Sequence, residues 1–228
     1  MKMKRLSLWG MAAVWIAQGL LLDGYLHCRV RAGTQTGLTN VQVKRIGVVP
    51  FFKGRHTTEG GETLDCPLCQ LYFKSENISP DSDQILTQYV QEALESKHGE
   101  KAIPLSEVRK AYERIPKDEL MDTPRAIATR VGEFLKTDLM IVGTVWRYKE
   151  RIGGALAVQG PASVAFAIYV IEVATGKTVW KAKFDETQRP LSENILEAKR
   201  FLKRGAKWLS ANELAQYGVK EIFKGFPL

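Results

Sequence analysis

The chain has 228 residues, with 33 Lys and Arg against 25 Asp and Glu and a formal charge of +8. Its 45% hydrophobic content is sufficient for a real core, and its length fits one domain of ordinary size. The surplus of cations favours anionic surfaces such as phospholipid headgroups or cell-wall polymers, and it does not demand nucleic acid.

Lys2, Lys4 and Arg5 form a basic patch, and an apolar run follows over 6–22, interrupted by Ser7 and Gln18 and ended by Asp23. Basic, then apolar, then polar is the layout of an export signal. The run is slightly short for a membrane span, which takes about 20 residues. Leu26-His27-Cys28 partly resembles the end of a bacterial lipoprotein signal, whose cysteine becomes diacylated. His27 stands where that pattern has a small residue. Val30-Arg31-Ala32 competes as an ordinary small-x-small cleavage site. The expectation is a signal peptide over 1–28 with lipid such as palmitate on Cys28, a flexible Gly- and Thr-rich tether over 29–41, and one domain over 42–228.

The stretch 41–52 reads as a strand buried on both faces. A polar excursion follows, holding Cys66 and Cys69. Ser79, Pro80 and Asp81 open a helix as cap, first helical position and first-turn acid, with Ile85, Leu86, Tyr89, Val90, Ala93 and Leu94 on one face and Gly99 as its stop. Residues 101–104 suggest a short strand, and Ser106 a cap for a small helix using Val108, Ala111, Tyr112 and Ile115. Thr123-Pro124 begins another helix, with Ile127, Val131, Phe134 and Leu135 facing inward. Residues 138–148 read as a buried strand and 164–173 as a central one. Residues 177–186 alternate, with Thr178, Trp180, Ala182 and Phe184 on one face and Lys181, Lys183 and Asp185 on the other. Two helices close the chain near 191–204 and 210–224, the second burying Ala215, Val219, Ile222 and Phe223. The order predicts an α/β fold, a single domain with a mixed β-sheet and helices packed on it.

Cys66 and Cys69 offer a disulfide, idle thiols, a metal site or a redox pair. Oxidising export compartments favour the disulfide. A c-type haem would need histidine where Gln70 stands, and zinc wants four ligands, with only His56 and His98 near. Gly176-Lys177-Thr178 looks like part of a phosphate loop, but Ile171 occupies the place of its first glycine and strands flank both sides. That stretch is a hairpin turn with Gly176 at positive φ. No local pattern suggests a catalytic triad, a cofactor or an enzyme. Arg147, Lys149 and Arg151 leave a buried strand for a Gly-rich loop, as a solvated strand end or as a contact surface for a protein or an anionic polymer.

Ile46-Gly47-Val48-Val49-Pro50-Phe51, the run Asp138-Leu139-Met140-Ile141-Val142-Gly143-Thr144-Val145 and the hairpin over 164–180 together resemble the curli-secretion lipoprotein superfamily (CsgG-like), which is akin to the amino-terminal domain of TolB. The resemblance covers about residues 42–190. It implies an α/β fold anchored by lipid to the periplasmic face of the cell outer membrane, and Arg29 in place of a retaining aspartate agrees with outer-membrane sorting. The curli channel builds its pore from two long hairpins per subunit, and residues 151–161 could hold one membrane strand of about 9–11 residues but no hairpin. The expected function is therefore a non-catalytic module that binds a protein partner in envelope assembly or secretion, with self-association left open. The alternatives are an oligomeric export-channel subunit, and a metal-binding or enzymatic protein using Cys66 and Cys69.

Overall fold

Strand β10 (Ser163–Glu172) is apolar on both alternations, and the fold buries both of its faces. It pairs antiparallel with β7 (Leu139–Lys149) on one side and β11 (Lys177–Thr187) on the other. Beyond β7, strands β2 (Ile46–Val48) and β3 (Phe52–Lys53) run parallel to it in succession. Beyond β11 lies the edge strand β1 (Val30–Ala32), antiparallel, with Val30 opposite Phe184 and Ala32 opposite Ala182. The result is a mixed sheet in a single α/β domain, as the element order predicts; it does not close into a barrel. This computed structural model describes residues 30–32, 43–56, 63–66, 68, 72–74, 78–118, 122–155, 158–188 and 207–228.

Helices α1 (Ser82–His98) and α4 (Ala211–Lys224) cover one face. Leu86, Val90 and Leu94 of α1 and Leu214, Val219, Ile222 and Phe223 of α4 meet Ile141, Phe166, Ile168, Trp180 and Phe184 of the sheet. Repeats of three and four residues on each helix make that face continuous. Helices α2 (Leu105–Arg114) and α3 (Pro124–Leu135) cover the other, with Val108, Ala111, Ile127 and Val131 against Met140, Val142, Tyr169 and Ile171.

Several local expectations change. Helix α1 starts at Ser82, because Pro80 and Asp81 form a turn in which Ser82 N–H donates to Ser79 O at 3.1 Å, and no side chain caps the helix. Gly99 does end it, at φ 47°. Residues 99–101 form a 3-10 turn, leaving a single bridge from Ala102 to Ile46 in place of a strand. Helix α2 begins after Pro104 without a side-chain cap, so Ser106 lies inside it. Thr123 caps α3 as expected, accepting from Ala126 N at 3.2 Å with Pro124 in the first turn. Phe134, expected inside, is 54% exposed. It shares spacing with Val131, yet Leu135 takes the inward position in the last turn of α3, and Phe134 beside it faces outward. The strand expected over 41–52 is two short strands flanking Val49-Pro50-Phe51.

The excursion after β3 carries a small antiparallel sheet of β4 (Arg55–His56), β5 (Thr63–Asp65) and β6 (Tyr72–Lys74). Residues 151–161 hold a hairpin of β8 (Ile152–Gly153) and β9 (Val158–Gly160). The turn before β11 has Gly176 at φ 64°, as expected. Val30–Ala32, in the stretch expected to be tether, forms β1. The helix expected near 191–204 lies outside the described residues.

Candidate functional site

The register stacks cross-strand rows on the α2–α3 face. At one end of the sheet Lys149, Ser163 and Thr187 share a row, and the next holds Arg147, Ala165 and Asp185. A bulge at Trp146 brings Arg147 onto this face, since Val145 pairs with Phe166 and Arg147 with Ala165. Ala165 is small, so the Arg147 guanidinium reaches across it to Asp185. Lys183 adds a second cation, 2.9 Å from Asp185, while its ammonium lies 5.0 Å from the centre of the Trp146 ring. Burial alone would raise the Asp185 pKa; Arg147 and Lys183 outweigh it and hold the carboxyl below its ordinary value.

Past Lys149, the chain ties itself to the start of α4. The Glu150 carboxylate accepts from Ala211 N at 3.1 Å through both oxygens, and from Arg151 N at 2.8 Å. The Arg151 guanidinium donates to Trp208 O, and Trp208 N donates to Ala155 O at 2.9 Å. Tyr148 donates to Asn212 Oδ1 at 2.6 Å; burial, with Tyr89 and Glu150 nearby, pushes its pKa up. Ser210 and Glu213 form a reciprocal capping box on α4. Glu150 thus acts as a second cap, placing negative charge at a helix N-terminus. Glu150→Ala is expected to destabilise the fold by about 1 kcal/mol, a typical cap loss. A thermal melt checks this, and an unchanged midpoint would mean water replaces the carboxylate.

The structure therefore separates the three basic residues singled out by sequence. Lys149 is exposed, whereas the Arg147 side chain is only 15% exposed on Asp185 and Arg151 is held by Trp208 O. Cys66 is buried beside β5, and its sulfur is bonded to a partner outside the described residues. Cys28 and Cys69 also lie outside them, and no disulfide is seen between two described residues. His98 packs on Phe226 with ring centres 5.6 Å apart, and burial followed by Lys97 and Lys101 lowers its pKa. Among the described residues, no cluster of His, Cys, Asp and Glu is suited to a metal ion, and no helix is long and apolar enough to cross a membrane.

Sequence reasoning missed a cleft of about 350 Å³ between α1 and α2, closed by Pro50. Thr87 at its floor is committed, accepting from Phe51 N at 2.9 Å and donating to Asp83 O at 2.6 Å. Lys53 neutralises Asp83 at 3.0 Å. Gln84, Arg109 and Glu113 line the cleft without a hydrogen bond or ion pair to another described side chain. No sequence signal joined α1 to α2 here, because the cleft forms only when both helices pack around the Val49-Pro50-Phe51 turn.

No protein-family model matches the chain, and no curated protein does. Among solved structures, the PelC dodecamer from Paraburkholderia phytofirmans is similar at 13% identity over 85% of this chain and 92% of that one, with TM-score 0.46. Lipoprotein GNA1162 from Neisseria meningitidis is similar at 12% identity over 72% and 96%, with TM-score 0.41. The LpoB C-terminal domain from Salmonella enterica is similar at 13% identity over 66% and 87%, with TM-score 0.36. None of these three is a curli-secretion protein, so that name gains no support from them. At these scores the likenesses are too distant to bear on partner or assembly.

Proposed function

We propose that the chain is a lipid-anchored protein of the bacterial outer membrane, facing the periplasm, whose domain is a non-catalytic module holding a protein partner in envelope assembly or secretion. One observation carries this: β1 begins two residues after Cys28 and is paired into the main sheet, so the chain passes from the candidate lipid site straight into the fold. The basic, apolar, polar start and Arg29 after the cysteine support it. Pairing of Cys66 with Cys69 belongs to the same reading, since an exported chain meets an oxidising compartment and the Cys66 sulfur is already bonded. Of Arg147, Lys149 and Arg151, only Lys149 is open to another molecule, so we assign the protein contact to the α1–α2 cleft, through Gln84, Arg109 and Glu113.

Intact mass of the membrane-extracted protein tests the anchor. The expected species begins at Cys28, carries lipid and gains two alkylatable thiols only after reduction. An unlipidated chain beginning at Gly33 would remove the anchor. A photoreactive residue at position 84 should crosslink one protein in cells and lose it in Arg109→Glu; an unchanged crosslink in that variant would move the contact elsewhere.

A further inference from the structure

The register fixes which end of the domain its amino terminus approaches. Strand β1 runs antiparallel to β11, and Val30, its first residue, sits opposite Phe184, three residues before β11 ends at Thr187. That end of β11 lies beside Ser163 of β10 and Lys149 of β7. The β8–β9 hairpin spans the gap between Lys149 and Ser163, so it emerges from the same end. Cys28 is two residues from Val30, a reach of about 7 Å for extended chain.

That hairpin carries Ile152, which is 56% exposed; Ile152 and Phe134 are the exposed large hydrophobic residues among those described. Their positions differ. Phe134 sits five residues before Leu139, at the opposite end of β7. Ile152 is set firmly: it pairs with Gly160, and the hairpin is pinned to the start of α4 through Ala155 O and the Arg151 side chain. Trp208 is half-buried at that junction, and Lys149 and Lys207 are exposed around it. The neighbouring acids are engaged, Glu150 by the Ala211 and Arg151 amides and Glu213 by Lys207 at 2.7 Å. An exposed apolar side chain fixed at the base of the hairpin, with the ammonium of Lys149, uncommitted among the described residues, nearby in sequence, suits the boundary between headgroups and acyl chains of an anionic bilayer.

We propose that the β8–β9 hairpin is a second membrane contact, seating Ile152 in the phospholipid surface to which Cys28 is tethered. This rests on the reading of Cys28 as lipidated. The bilayer then sets the orientation of the domain, and the Gly176 turn points away from it.

The test uses the full membrane-extracted chain in vesicles of phosphatidylethanolamine and phosphatidylglycerol, without reductant so that Cys66 stays bonded. A nitroxide is attached to Ile152→Cys or, for comparison, to Phe134→Cys, two positions of similar exposure at opposite ends. Accessibility to oxygen against a water-soluble nickel reagent gives depth. The expected result is oxygen-dominated relaxation at 152 and nickel-dominated relaxation at 134. Nickel-dominated relaxation at both sites overturns the proposal, as does the reversed pattern. Spin–spin broadening at 152 also overturns it, because the hairpin would then meet a second copy. Intact mass of the same sample separates the two readings: lipid on Cys28 with 152 in water sinks the hairpin contact alone, and a chain without lipid sinks the anchor.

Discussion

Gly143→Val is expected to destabilise the domain by about 3 kcal/mol or more, at or above the usual range for overpacking. A Cβ at this position would lie 2.1 Å from Phe51 Cζ, inside the ring. Neither side can yield easily. Gly143 is in the middle of β7, opposite Ile168 of the central strand. Phe51 is fixed by the hydrogen bond its backbone N–H donates to Thr87 Oγ1 and by edge-on contact with Phe166, with ring centres 6.4 Å apart. Phe51→Ala alone should remove about 3–5 kcal/mol. The double variant should lose less than the sum, because the new side chain then fills space the ring has left, and a coupling of about 1–3 kcal/mol is expected for such a pair. Urea unfolding of the four proteins measures this. Strict additivity would mean that Phe51 swings clear of β7.

Arg147→Glu should cost about 2–3 kcal/mol, below the full range for a buried pair because Asp185 keeps 32% of its side chain in water. It would set two carboxylates together across Ala165. Adding Asp185→Lys should recover part of the loss, limited by the nearby Lys183. The pH dependence has a definite sign. Asp185 has its carboxyl held below the ordinary value in the fold, so its contribution is present above the unfolded pKa, near 3.9, and is lost as pH falls through the folded one. Asp185→Asn should flatten the fall in melting temperature below about pH 4. If Arg147→Glu melts like the parent at neutral pH, the residue is free for a partner after all. Otherwise a partner lost on changing Arg147 would report a damaged sheet.

The long elements were legible because their patterns were strong. Continuous apolar runs announced β7 and β10, alternation announced β11, and helical spacing announced α4. What escaped depended on neighbours. Strands β4 to β6, β8 and β9 have two or three residues each, too short to show a period. Phe134 kept its spacing but lost its cover. Arg147 looked like a strand-end cation because the bulge at Trp146 is invisible in sequence. The alternation that put Asp185 on the charged face of β11 was a usable clue, and small Ala165 between two opposite charges completed it.

Strand β1 also decides how the domain would bear load. With Cys28 held in a bilayer, tension on the domain runs along the axis of β1, parallel to β11. The bonds from Val30 through Ala32 then bear it together, in shear, and do not open one at a time from an end. A three-residue strand loaded this way resists a tug that would unzip the same strand pulled sideways, so the junction beside the anchor yields late when a partner pulls towards the periplasm.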